Sequence, residues 1–147
     1  MSHDFSREFF AAYHASVFEA LGEDAAKCNA RIGAILAGRW LKSLTELPSN
    51  TVKFKDALEE YFSGQFKFSD IAELTFNEKG ASLHVKGCDI CNGNEILRNG
   101  GKKGSCPISQ MLKSAMGKSL KKNVELTGSE KPGTVGECYL KYTIKEL

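Results

Sequence analysis

The 147-residue chain has no apolar run long enough to cross a bilayer, and no apolar core follows its first residues, Met1-Ser-His-Asp-Phe-Ser-Arg-Glu. A spanning helix and a secretion signal are thereby excluded, no membrane partner is expected, and the expected location is cytoplasmic. Neither sign of charge dominates, since 20 basic residues stand against 18 acidic ones for a net +2. So weak a field argues against nucleic acid as a partner. Histidines number three, and none sits near a serine or acid pattern that would suggest hydrolysis. His3, His14 and His84 are read as solvent-facing. With neither an internal repeat nor a low-complexity linker, residues 1–147 read as one domain.

Cysteine is what the sequence does have. Four of the five, Cys88, Cys91, Cys106 and Cys138, fall in the C-terminal part, and the first two form Cys88-Asp89-Ile90-Cys91. In a reducing compartment, clustered cysteines point to metal ligands or redox thiols rather than a disulfide framework. Four thiolates are the number that one tetrahedral metal takes, and a site filled by four protein sulfurs is structural because no open position remains. Zinc leads, with an iron–sulfur cluster as the alternative. Cys28, alone in a helical segment, reads as a small buried hydrophobe.

The first half is helical. Phe5, Phe9, Phe10, Tyr13, Val17, Phe18 and Leu21 form one stripe over residues 5–21, with Asp4 or Ser6 as cap. A second helix is expected from about Asp24 to Leu44, and a third over 55–62. The small residues Ala26, Ala30, Gly33, Ala34, Ala37 and Gly38 of the second suggest close helix packing, within the domain or across a homodimer.

From Asp70 the period becomes two. Ala72, Leu74 and Phe76, a turn at 77–80, then Leu83 and Val85 predict a β-hairpin ending at Cys88. The glycine- and asparagine-rich stretch 92–105 reads as loop. Its Asn99-Gly-Gly-Lys-Lys-Gly-Ser105 segment lacks phosphate-loop spacing. Cys106 caps a helix that Pro107 opens, and strands through Val124–Leu126 and Cys138–Ile144 close the chain. The expected fold is α+β, in the order α-α-α-β-β-α-β-β, with a helical part over about 1–68 and an antiparallel sheet in 69–147.

That second half carries Cys106-Pro107-Ile108 at a helix start and Gly136-Glu-Cys-Tyr-Leu-Lys-Tyr-Thr-Ile144 on the last strand. In these features the chain resembles the 4-vinyl reductase domain family. Its members include sensing domains of phenol-responsive regulators, an accessory protein of chlorophyll biosynthesis and stand-alone archaeal hydrocarbon-binding proteins. The resemblance implies a zinc site in which Cys106 and Cys138 match the first and last ligands. Where the family has a further glutamate and cysteine before the last strand, this chain has Thr127-Gly128-Ser129-Glu130. Cys88 and Cys91 are inferred to supply the missing thiolates, with Glu130, Glu137 or His84 as substitutes for one of them.

The family's apolar cavity implies a small hydrophobic ligand, for which Phe18, Trp40, Phe62 and Tyr142 are the candidate lining residues. The leading expectation is thus a non-enzymatic binding or sensory domain, homodimeric, that signals to an unidentified protein partner. The alternatives are a redox or iron–sulfur protein using the same cysteines, and an accessory protein to a reductase or tetrapyrrole enzyme. Reactive CxxC pairs sit where a strand meets a helix. Asn92-Gly93-Asn94 is poor helix sequence, which sets the dithiol reading behind the metal one.

Overall fold

A computed structural model describes residues 6–147, so the expectations resting on His3, Asp4 and Phe5 lie outside the described residues. Three helices come first: α1 (Arg7–Leu21), α2 (Ala25–Ser43) and α3 (Thr51–Ser63), with a short 3-10 turn at Gly22–Asp24 between the first two. Ser6 caps α1 by accepting from the Phe9 amide at 3.0 Å. Asn50 does the same for α3 through the Lys53 amide at 2.9 Å. That cap starts α3 earlier than the expected residue 55, because a side-chain acceptor satisfies an amide that would otherwise lack a partner.

The strands β1 (Ile71–Phe76) and β2 (Gly80–Lys86) form the first hairpin, and β3 (Asn123–Glu130) and β4 (Cys138–Lys145) the second. They join as one antiparallel sheet in the order β1-β2-β4-β3. Period two is kept throughout: Leu74, Leu83, Val85, Leu140 and Tyr142 are buried, while the intervening Glu73, Ser82, His84, Tyr139 and Lys141 are not. The α+β class and the antiparallel sheet follow the sequence expectation.

One element does not. Between the hairpins lie two helices, α4 (Asp89–Asn99) and α5 (Pro107–Leu120), so residues 89–99 are helical where loop was expected. The observed order is α-α-α-β-β-α-α-β-β. Ile90, Cys91, Asn94 and Leu97 are buried at helical spacing, and tertiary burial outweighs the weak propensity of Asn92-Gly93-Asn94.

The helices pack crosswise: α1 lies chiefly on α4 and α2 on α5, while α1 and α2 touch little. Gly33 makes the second contact close, since a β-carbon there would sit 2.4 Å from that of Gln110. Part of the small-residue face of α2, Gly33 and Ala37, is therefore used inside the domain; Ala26, Ala30 and Ala34 remain exposed. Phe9 and Tyr13, placed on the apolar stripe by their spacing, are more than half exposed and stack at 6.0 Å. No helix among the described residues is long and apolar enough to cross a membrane.

Candidate functional site

Three elements deliver the four cysteines. Cys88 is the N-cap of α4 and Cys91 lies in its first turn; Cys106 is the N-cap of α5; Cys138 opens β4. Two glycines in left-handed conformation set up the approach. Gly87, at φ +64°, turns the chain out of β2, and Gly136, at φ +93°, turns it towards β4. The Cys88 amide then donates to the Gly136 carbonyl at 3.0 Å, tying the two cysteine-bearing segments together.

All five cysteines are free thiols; Cys88, Cys91 and Cys138 are buried, Cys106 and Cys28 half-buried. Cys91 is the central sulfur. Hydrogen bonding from Cys138 and then from Cys88 holds its pKa well below the ordinary thiol range, with smaller help from Lys131 and Arg98. The same contacts push Cys88 and Cys138 up, because each keeps its proton to donate it to Cys91. Burial raises Cys106, which also feels the charge of Cys91.

Among the described residues, no group of three or more histidine, cysteine, aspartate and glutamate side chains forms a ready-made metal shell. The cysteines match zinc or an iron–sulfur cluster in donor type only. Metal loading would exchange thiol hydrogen bonds for metal–sulfur bonds and release protons. Glu130 and Glu137 are both engaged elsewhere: Lys141 Nζ donates to Glu130 Oε1 at 2.7 Å, and Glu137 Oε2 pairs with His84 Nε2 at 2.7 Å. His84 is not simply solvent-facing, since its ring also stacks on Tyr139 at 4.3 Å.

The chain matches no protein-family model and no curated protein.

The four candidate ligand-lining residues do not form one group. Trp40, Phe62 and Tyr142 belong to the main core, whereas Phe18 packs in a separate small cluster with Ala15 and Leu97. Trp40 stacks on Tyr61 at 5.5 Å and borders a cleft of about 310 Å³ between α2 and α3, with Leu44, Ala57, Glu60 and Tyr61. Phe62 meets Phe68 edge-on at 4.9 Å. The Tyr142 hydroxyl donates to the Ser109 carbonyl at 2.8 Å, so its polar end is already used.

Sequence reasoning missed two groups around the cysteines. His14 is buried, not solvent-facing, and its Nε2–H donates to Asn94 Oδ1 at 2.9 Å. Asn94 Oδ1 also accepts from the Ser105 amide at 2.8 Å, which links α1, α4 and the segment leading to Cys106. Arg7 reaches from α1 to Asp89, Asp70 and the Gly87 carbonyl, flanking Cys88. The one available signal was that Ile90 and Leu97, seven apart, suit a buried helix face. It would have shown α4, and with it a strand running into a helix at the CxxC. The objection to a dithiol role that rested on a missing helix is thereby removed.

Proposed function

We propose that the chain is a non-enzymatic binding or sensory module that holds a small apolar molecule and is clasped by a zinc ion on Cys88, Cys91, Cys106 and Cys138. The observation that carries this reading is the convergence of thiols from β4 and from the N-termini of α4 and α5 around Cys91. Four sulfurs suit zinc, which when bound would supply cross-linking rather than chemistry. The resemblance of 106–108 and 136–144 to the 4-vinyl reductase domain family supports the same reading, through Cys106 and Cys138.

For the apolar ligand, the support is the aromatic wall of Trp40 and Tyr61, whose cleft is of small-molecule size. Self-association through the exposed Ala26, Ala30 and Ala34, a cytoplasmic location and an as yet unknown protein partner belong to the same proposal. Elemental analysis of the purified chain tests its centre. Stoichiometric zinc is expected, with loss of metal and of thermal stability in Cys106→Ser and Cys138→Ser. Metal-free protein, or serine variants with unchanged metal content, would overturn it, and visible absorption after anaerobic purification would point to iron–sulfur instead.

A further inference from the structure

Leu83, Leu140 and Tyr142 turn one face of the sheet into the core, and the other face carries a second cleft. It measures about 620 Å³ and is bordered by Ser82, Thr127, Glu130, Tyr139, Lys141 and Thr143. A bulge in β3 between Leu126 and Gly128 shifts the register against β4. Gly128, opposite Lys141, adds no side chain to that face, and a β-carbon there would meet nothing within 4 Å. The strands thus leave an opening beside Tyr139.

Tyr139 is held as its wall. The ring stacks on that of His84, directly opposite on β2, with centroids 4.3 Å apart and planes within 4° of parallel. His84 is fixed in turn by the 2.7 Å contact of its Nε2 with Glu137 Oε2. One face of Tyr139 is therefore taken, and the rest of the ring borders the cleft already in position, which lowers the entropy cost of binding against it. The polar groups decide what fits there. Lys141 Nζ donates to Glu130 Oε1 at 2.7 Å, so the two opposite charges of the wall answer each other. Ser82, Thr127 and Thr143 add hydroxyls, and Thr127 Oγ1, which donates to the Lys141 carbonyl at 3.2 Å, keeps lone pairs to accept. Hydroxyls both donate and accept. They match a ligand whose own groups do both, and a fixed aromatic ring matches one apolar face on that ligand.

We propose that this cleft binds a neutral sugar, its C–H face against Tyr139 and its hydroxyls on Ser82, Thr127 and Thr143, with His84 as a positioning residue that holds the tyrosine ring. The site shares no residue with the cleft of Trp40 and Tyr61, and its ligand differs in class.

The test is a titration of the full chain, followed by amide resonances, with the methyl glycosides of glucose, galactose, mannose and N-acetylglucosamine. At least one should give saturable shifts over residues 77–82 and 139–143 by about 10 mM. Tyr139→Ala should weaken that binding about tenfold or more. Ser82→Val, which suits a strand, should weaken it roughly three- to tenfold by removing one hydroxyl. His84 does not border the cleft, yet His84→Ala should also cost about threefold, and His84→Phe, which keeps a ring behind Tyr139, should recover most of it. The site is overturned if none of the four glycosides binds, or if Tyr139→Ala and Ser82→Val bind as the wild type does. Tighter binding of glucose 6-phosphate than of the methyl glucoside would overturn the neutral ligand class. Failure of His84→Phe to recover what His84→Ala loses would overturn the positioning role.

Discussion

Arg7 Nε donates to Asp89 Oδ1 at 2.7 Å, so the first turn of α1 holds the residue that follows Cys88. Asp89 is largely buried while the guanidinium is half exposed. Solvent therefore weakens the pair, and Arg7→Ala should cost about 1 kcal/mol. Its effect should be local. Hydrogen exchange should quicken in the first turn of α4 and stay unchanged in α5; unaltered protection over 89–93 would refute the link.

Two glycines in one helix should answer alanine oppositely. At Gly33 a β-carbon would also lie 2.6 Å from the Met111 amide nitrogen, so α2 and α5 would have to part. Gly33→Ala should destabilise by about 1–3 kcal/mol. At Gly38 nothing stands within 4 Å of the added carbon. There the lower helix propensity of glycine is the only term, and Gly38→Ala should stabilise by about 0.5–1 kcal/mol. Denaturant midpoints of the two variants decide it.

Burial holds His14 below its ordinary pKa, against the raising effect of its hydrogen bond to Asn94. Below about pH 6.5 the unfolded chain binds a proton there that the folded chain refuses. Stability contributed by neutral His14 is thus present above about pH 6.5 and falls as pH drops towards the folded value. Unfolding midpoints measured from pH 7.5 downwards should decline less steeply in His14→Gln than in the wild type. Parallel curves would show that His14 is solvated.

Much of the fold is legible because burial and period agree, as in β1, β2 and β4, where alternation marks the inner face. The cysteines were legible by type, and Cys106 also by Pro107 after it. Helix α4 was not, for a physical reason. A β-carbon at Gly93 would lie 2.8 Å from the Ala11 carbonyl oxygen and 2.7 Å from the His14 ring. Glycine there permits α1 to approach, and Asn94 bridges His14 and Ser105. The residues that weaken the helical signal are the ones that dock the helix. Aromatic spacing failed differently: Phe9 and Tyr13 keep the period yet face outwards, because α1 rests on α4 through Ala11, His14, Ala15 and Phe18.

Trp40 is the sole tryptophan, so fluorescence excited at tryptophan alone, apart from the four tyrosines, reports on the core edge that borders this cleft. A flat apolar molecule seated against Tyr61 should shift that emission saturably. Removing one ring contact by Tyr61→Ala should weaken binding by roughly three- to tenfold. Non-saturating quenching, identical in the variant, would count against the cleft as the binding site.

The crosswise packing has a consequence for how the chain is made. Helix α2 is complete at Ser43, but the helix it rests on begins at Pro107, and the partner of α1 begins at Asp89. On the ribosome the first half emerges with Phe18 and the α5-facing side of α2 uncovered and must wait some seconds, at about 5–20 residues per second, for the covering helices. Cys138 comes later still. An ion that joined the four sulfurs could therefore not guide the early steps of folding; it would act as the last stitch in a nearly finished molecule.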